Sequence, residues 1–377
     1  MNEYSPEALY IHIPFCSSIC TYCDFYKLIA KGERKQKYIS HLVKEAEMKK
    51  SYFSALKTIF IGGGTPTSLP FNLFDFLLTN LQRLIDFNKI EEFTVEANPN
   101  DITPELAELL KTNGVNRISL GIQSFDPEKL ESLGRKHTEH DVKKAFSLLR
   151  KYGFTNINAD IIYGLKGDNF KKVKNDLKKA INYGATHISA YSLILEEKTI
   201  LMKLHNEGKF ERMDEDEEAK LYQNLTSYLK KRGFIHYEIS NFSRKNLQCK
   251  HNLTYWNNMN YIGIGANSSY YLGNTRYTNI NNIDLYCEGI ASGTPLYREA
   301  NVLALEEQMS EEMILGLRKT EGINLTVFRE KYGIDAIDAF PIIRNLINLK
   351  LLAVKNDNLY IPEKSLYLSN EVLINFI

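Results

Sequence analysis

The chain has 377 residues, 44% of them hydrophobic and 25% charged, with a formal net charge of +1. That is length enough for two or three domains with a large core, and it carries no charge excess that would draw it to nucleic acid or an anionic membrane. Its apolar runs are strand-sized, far short of the roughly 20 residues of a membrane span. The N-terminal MNEYSPEALY lacks the basic-then-apolar order of a signal peptide, so a cytoplasmic location is expected.

The first 240 residues alternate strand and helix patterns. ALYIHIP (8–14) is predicted as a strand and 34–50 as a helix; KTIFIG (57–62) is a strand and 71–86 a helix. EFTVEA (92–97) precedes a helix opening at Pro104, with Thr103 as its N-cap. NRISLGI (116–122) precedes helices near 127–133 and 139–151, and INADIIYG (157–164) precedes one at 169–183. HISAYSL (187–193) is the sixth strand, and a long helix follows at about 214–232. Six β/α repeats with short apolar strands predict an α/β fold, either an open doubly wound sheet or a complete or partial barrel. In both, ligands sit at the carboxyl ends of the strands.

Residues 241–300 are rich in Asn, Tyr and Gly and read as a hairpin and loop extension. Residues 301–377 read as a small separate domain: helices at about 306–318, 325–332 and 335–349, then LLAVKNDNLYIP, a hairpin turning at Asn-Asp-Asn. This order suggests a winged-helix shape. Eight Lys/Arg against eleven Asp/Glu give this segment a net charge of −3, which argues against DNA reading and for a lid or partner surface.

Five cysteines, three of them crowded, fit a disulfide framework badly. Cys16, Cys20 and Cys23, spaced C-x3-C-x2-C, lie just after the first strand, which ends at Pro14. Three thiolates hold three irons of a [4Fe–4S] cluster and leave the fourth iron open, where four would close it. Zinc bound by the three cysteines and His12, or a group of merely buried cysteines, are the alternatives. GGGTPT (62–67) follows the second strand, where glycines allow close backbone approach to a ligand. Glu96 and Gln123 end the third and fourth strands, and Asp160 lies in the fifth. A buried Asp calls for a partner, and Arg135 is the candidate; Glu96 would otherwise be a solvated strand end.

The cysteine spacing, with Tyr22 before the third thiol, resembles the signature of radical S-adenosylmethionine (SAM) proteins. The resemblance implies a cluster whose open iron chelates the amino and carboxylate groups of SAM, and a 5′-deoxyadenosyl radical as the reagent. With YIHIPFC, GGGTPT, EANP, GIQSF, LGRKHT and DIIYGL, nearly the whole chain is similar to the oxygen-independent coproporphyrinogen III oxidase family. That implies a partial (β/α)6 TIM-like radical SAM barrel over 1–240 and a C-terminal, mostly helical, winged-helix-like domain. It carries Cys16, Cys20 and Cys23 onto cluster positions. Tyr10, Tyr22, Gly63, Gly64, Thr65, Glu96, Gln123, Arg135 and Asp160 fall on the SAM site.

The family has two branches. The oxidase branch, which converts two propionates of coproporphyrinogen III to vinyl groups, has a further cysteine where this chain has Phe25. The heme-chaperone branch lacks it and carries an H-N-x-x-Y-W motif, matched here by His251, Asn252, Tyr255 and Trp256. A neutral imidazole suits an iron axial ligand, aromatic side chains pack against a macrocycle, and Cys249 is an alternative thiolate. The bland reading is a hydrogen-bonded His251 among ordinary core aromatics. Two positions depart from the family: Lys166 stands where proline is usual after YGL, and Ser269 where a histidine is usual. The implied role is a heme chaperone with a [4Fe–4S] cluster, SAM and bound heme or porphyrin. Its implied partners are an electron donor such as flavodoxin or ferredoxin and an apo-hemoprotein at the membrane, with no nucleic acid. The alternatives are the oxidase itself or a radical SAM enzyme with another substrate.

Overall fold

The structure, a computed structural model, describes residues 4–377. Its frame is six strands, β1 (Ala8–Ile13), β2 (Thr58–Gly63), β3 (Glu92–Ala97), β4 (Arg117–Gln123), β5 (Asn156–Tyr163) and β6 (His187–Ser192). They pair in chain order, each parallel to the next. Helices cross between them, as parallel pairing demands. The helix Glu139–Lys151 shows why these segments fold as they do: Val142, Ala145, Phe146 and Leu149 make one buried stripe, and Thr138 and Asp141 form a capping box at its start. β1 and β6 do not pair with each other, so the array is an open, partial barrel.

Both edges are extended. The hairpin β7 (Ile235–Glu238) and β8 (Asn241–Ser243) adds to β6 through β8. On the other side β9 (Tyr261–Ile264) runs parallel to β1. β10 (Ser269–Leu272), β11 (Thr275–Asn279) and β12 (Tyr297–Val302) continue antiparallel, giving a 12-stranded sheet. Residues 241–300 therefore contain more than hairpins and loops. Two helices, Lys250–Trp256 and Ile283–Ser292, and the parallel strand β9 belong to this segment. A seven-residue helix is too short to show a period, and β9 pairs with a strand from the other end of the chain.

The extension is fastened by one buried carboxylate. Glu45, on the helix Gly32–Lys49, accepts hydrogen bonds from Gly265 N (2.7 Å), Tyr286 OH (2.5 Å) and Asn279 Nδ2 (3.1 Å), and pairs with Lys49 at 2.8 Å. The C-terminal segment has helices Leu305–Gly316, Leu325–Tyr332, Ala336–Ala339 and Ile342–Asn348 and a small sheet. The sheet's strands are β13 (Ile323–Asn324), β14 (Ala353–Lys355) and β15 (Asn358–Tyr360), with β15 central. The β14–β15 turn places Asn356 and Asp357 at φ of 50° and 64°, the conformation a two-residue hairpin favours. This segment docks on the β7–β8 edge: Ile239 N donates to Arg318 O (3.1 Å) and Thr320 N to Tyr237 O (3.1 Å). One apolar core runs from Leu9 to Phe376 through both parts.

Replacing Glu45 by alanine leaves Gly265 N and Tyr286 OH without their acceptor in the interior and removes the charge opposite Lys49, which keeps only Gly263 O. Urea unfolding of Glu45→Ala is expected to show a loss of about 3 kcal/mol or more, with Glu45→Gln losing less.

Candidate functional site

The cysteine loop leaves the carboxyl end of β1 and is closed at its base: Leu28 N donates to Pro14 O (2.7 Å) and Cys16 N to Leu28 O (3.0 Å). The glycine segment after β2 zips onto it, Gly64 N to Ile13 O and Thr65 N to Phe15 O, both 2.8 Å. Glycine is required here by contact. A Cβ on Gly64 would lie 2.8 Å from Phe15 O, and Gly63, at φ +110°, would place one 2.4 Å from the His12 ring. These backbone donors of Gly64 and Thr65 are spent on the loop; Gly63 N donates to Glu96 Oε2 at 3.1 Å.

A ring of polar contacts joins two of the thiols. Thr65 Oγ1 donates to Cys16 Sγ at 3.7 Å, Asn98 Nδ2 to Thr65 Oγ1 at 3.4 Å, Arg135 Nη2 to Asn98 Oδ1 at 2.6 Å, and Arg135 Nη1 to Cys20 Sγ at 3.5 Å. Arg135 also donates to Gly121 O (2.6 Å). It is thus committed to the cysteine loop and is not the hydrogen-bonding partner of Asp160, as the sequence suggested. Asp160 instead accepts from Asn158 Nδ2 (2.7 Å) and Ser119 Oγ (3.3 Å). Arg135 reaches the β4 backbone at Gly121, where the strand bulges and Gln123 stands at φ +64°. Tyr22 packs into an apolar cluster with Leu133, Ile162 and Leu193.

All three thiols are free. Burial pushes Cys16 up to about 11, against the opposing pull of Thr65 and Lys27. Among the described residues no three His, Cys, Asp or Glu side chains converge as a single metal ion requires. A [4Fe–4S] cluster makes a different demand, one thiolate per iron, and the donor set fits that.

Below the loop, inward-facing residues of all six strands line a cavity of about 480 Å³, within the range of a small-ligand pocket. Tyr10, Gly63, Glu96 and Asp160 line it, with His251, Asn252 and Tyr255; Asp24, Phe25, Ser269 and Tyr191 line it too. Trp256 does not. It packs under Arg318, whose guanidinium lies 4.7 Å from the ring centre. No residue of 301–377 lines the cavity.

The two motifs occupy opposite ends of the strands. His251 and its helix sit at the amino ends of β2 and β3: His251 Nδ1 bonds Thr58 Oγ1 (2.9 Å) and Nε2 bonds Tyr255 OH (2.7 Å). Its ring stacks on Phe60 at 5.1 Å. Glu92 receives the start of this helix, accepting from Lys250 N (2.9 Å), His251 N (3.1 Å) and Cys249 Sγ (3.3 Å). Burial raises the Cys249 thiol and holds His251 down at about 3. His251 is therefore neutral with both nitrogens engaged, and Cys249 is a sealed thiol.

Residues 10–180 match the radical SAM superfamily, and residues 303–368 the HemN C-terminal domain. The heme chaperone HemW of Bacillus subtilis is 39% identical over 375 residues, covering 98% of this chain and 99% of that protein. The chain belongs to the HemW branch of the radical SAM superfamily. The heme chaperone HemW of Lactococcus lactis is also 39% identical, over 99% of this chain and 97% of that protein. The solved structure of Escherichia coli coproporphyrinogen III oxidase (HemN) superposes with a TM-score of 0.85 at 19% identity, over 99% of this chain and 90% of that one. At that identity it establishes the shared fold: a large, mostly parallel α/β sheet with a helical C-terminal segment. No described helix is long and apolar enough to cross a membrane.

Both departures from the family pattern have local accounts. Lys166 keeps a backbone N–H that donates to Glu211 O (3.3 Å), which proline would lack, and its side chain pairs with Glu211 at 2.5 Å. Ser269 lies at the cavity mouth, where its hydroxyl is 3.5 Å from Thr278 Oγ1. Sequence reasoning missed Asn98, Glu92 and Arg117. Arg117 is 2% exposed, lines the cavity and donates to Thr94 Oγ1 at 3.4 Å. The available signal was polar alternation in RISLGIQ, NINADIIY and HISAYS, which marks a polar inner face on strands whose other face is apolar.

Burial, and then the charge of Asp160, raise Glu96 to about 7. A carboxyl that holds its proton more tightly when folded stabilises the fold at low pH and loses that contribution as pH rises from about 4.5 through 7. The buried histidines act oppositely: His12, held near 4 by burial, favours the fold above its unfolded value and loses this as pH falls from about 6.5 toward 4. Thermal unfolding of Glu96→Gln is expected to lose less stability between pH 5 and 8 than that of the parent.

Proposed function

We propose that the protein is a heme-binding chaperone that carries a [4Fe–4S] cluster on Cys16, Cys20 and Cys23 together with SAM, and passes heme to an apo-hemoprotein. The observation that carries this reading is one cavity lined by both sets of residues, the SAM-type Tyr10, Gly63, Glu96 and Asp160 and the His251, Asn252 and Tyr255 of the HemW-type motif. Phe25, in place of the oxidase's additional cysteine, faces the same space. When bound at the reduced cluster, SAM is a source of a 5′-deoxyadenosyl radical.

In this reading the chain's own residues position and exclude. Thr65 and Arg135 donate toward Cys16 and Cys20 and offset thiolate charge. Tyr22, Gly64 and Gln123 shape the loop and strand ends around SAM. Glu96 and Asp160 offer acceptors to its hydroxyl and amino groups. His251 and Tyr255 hold each other and form the floor of the cavity; an axial role for His251 would require it to release Thr58 or Tyr255. The partners this reading requires are an electron donor of the flavodoxin or ferredoxin type and a hemoprotein recipient.

The test is anaerobic, on protein with its cluster reconstituted and verified by iron content. With SAM, a strong reductant and coproporphyrinogen III, no protoporphyrinogen IX is expected, whereas hemin should bind and pass to an apo-hemoprotein. Multiple turnovers to protoporphyrinogen IX would make the protein an oxidase. Cys16→Ser should lose the cluster absorbance. His251→Ala should keep it and bind hemin more weakly; an unchanged affinity and spectrum would remove His251 from the site.

A further inference from the structure

Single exposed aromatic side chains are ordinary on a protein surface, but two that line the same cavity offer a ligand apolar faces. Phe25 is 65% exposed and Tyr191 41% exposed, yet both line the cavity. Neither makes a ring–ring contact with another aromatic among the described residues. Phe25 stands on the loop leaving β1, and Tyr191 is the penultimate residue of β6. These are the first and last of the six strands β1 to β6, unpaired with each other. The two rings therefore reach the cavity from the two ends of the six-strand array, both from its carboxyl side.

Imidazole, thiolate and phenolate are the usual protein ligands of heme iron, and burial raises all five tyrosines that line the cavity, Tyr10, Tyr26, Tyr191, Tyr255 and Tyr261, so that they hold their protons. Among the described residues only two histidines line it, and each has both ring nitrogens engaged: His12 with Tyr10 OH (2.9 Å) and Tyr26 O (3.0 Å), His251 with Thr58 and Tyr255. No described cysteine lines it. With these groups engaged or protonated, the flat faces of a ligand are what the site can hold, and two aromatic rings lining one cavity suit a planar, apolar macrocycle entering edge-on.

We propose that Phe25 and Tyr191 are the jaws of an aromatic slot at the cavity mouth that takes a planar tetrapyrrole by its faces, so that affinity resides in the macrocycle rather than in its iron. This rests on the heme-binding reading above. It adds a specificity-determining role for the residue that replaces the oxidase cysteine, and it makes recognition indifferent to the metal.

The experiment titrates the full chain, cluster reconstituted and SAM present, with hemin and with iron-free protoporphyrin IX, read by the porphyrin absorbance band. The parent should bind both within about threefold of each other. Phe25→Ala and Tyr191→Ala should each weaken both ligands by about three- to tenfold, the range that aromatic contacts supply, while Phe25→Trp binds as the parent does. Cluster absorbance and SAM retention, measured on every variant, separate loss of the slot from loss of the fold. Binding of hemin without protoporphyrin IX would show iron ligation and overturn the slot while leaving the chaperone reading intact. So would alanine variants that match the parent for both ligands. A parent that binds neither would overturn both.

Discussion

The parallel register of β1 against β2 is the constraint on which the rest depends. Ile11 opposite Ile61 and Ile13 opposite Gly63 set the two strand ends level. The pairing then continues past the strands, through Gly64 to Ile13 and Thr65 to Phe15. That continuation needs side-chain-free backbone, because Cβ atoms at Gly63 and Gly64 would strike His12 and Phe15. A one-residue slip would turn Tyr10 and His12 out of the lumen and carry the cysteine loop away from Thr65 and, through Asn98, from Arg135.

From that register follows an unusual interior. Parallel strands covered on both faces are ordinarily apolar throughout. Here the outer faces, with Ile59, Ile118 and Ile157, meet the helices, and the inner faces carry Glu96, Arg117, Ser119, Asn158, Asp160 and Ser189. Several of these groups pair with one another: Asn158 reaches Ser119 and Asp160, and His187 bonds Asn158 at 2.6 Å and Tyr237 at 2.7 Å, whereas the buried Arg117 Nε finds no partner. Tyr237 in turn accepts from Cys249 N at 3.2 Å, so the network crosses the lumen to the start of the His251 helix. A polar lumen open at one seam is suited to a charged ligand such as SAM. A wholly apolar one would make the same ligand pay desolvation without return.

The two ends of the barrel divide the labour. At the carboxyl end are the buried Cys16 and the partly exposed Cys20 and Cys23, with Phe25 and Tyr191 lining the cavity. At the amino end Glu92, Thr58 and Tyr255 fasten a buried plug. Glu92 explains why a seven-residue helix stands at all: it satisfies two amide groups that such a helix cannot satisfy itself.

Read by itself, the sequence determined the β/α alternation, the six parallel strands and the cysteine loop at a strand end, because these are written in local period and spacing. It also contained the family's motifs in order, since those are contiguous. It could not reveal that β9 runs beside β1, that Arg135 serves Cys20 and Asn98 instead of Asp160, or that His251 spends both nitrogens on Thr58 and Tyr255. Each of those is a contact between residues far apart in the chain. Local pattern is blind to which of several possible partners a side chain meets. That choice was made by tertiary structure, through the register of the sheet and the bulge at Gln123, which decide where every inward-facing group ends.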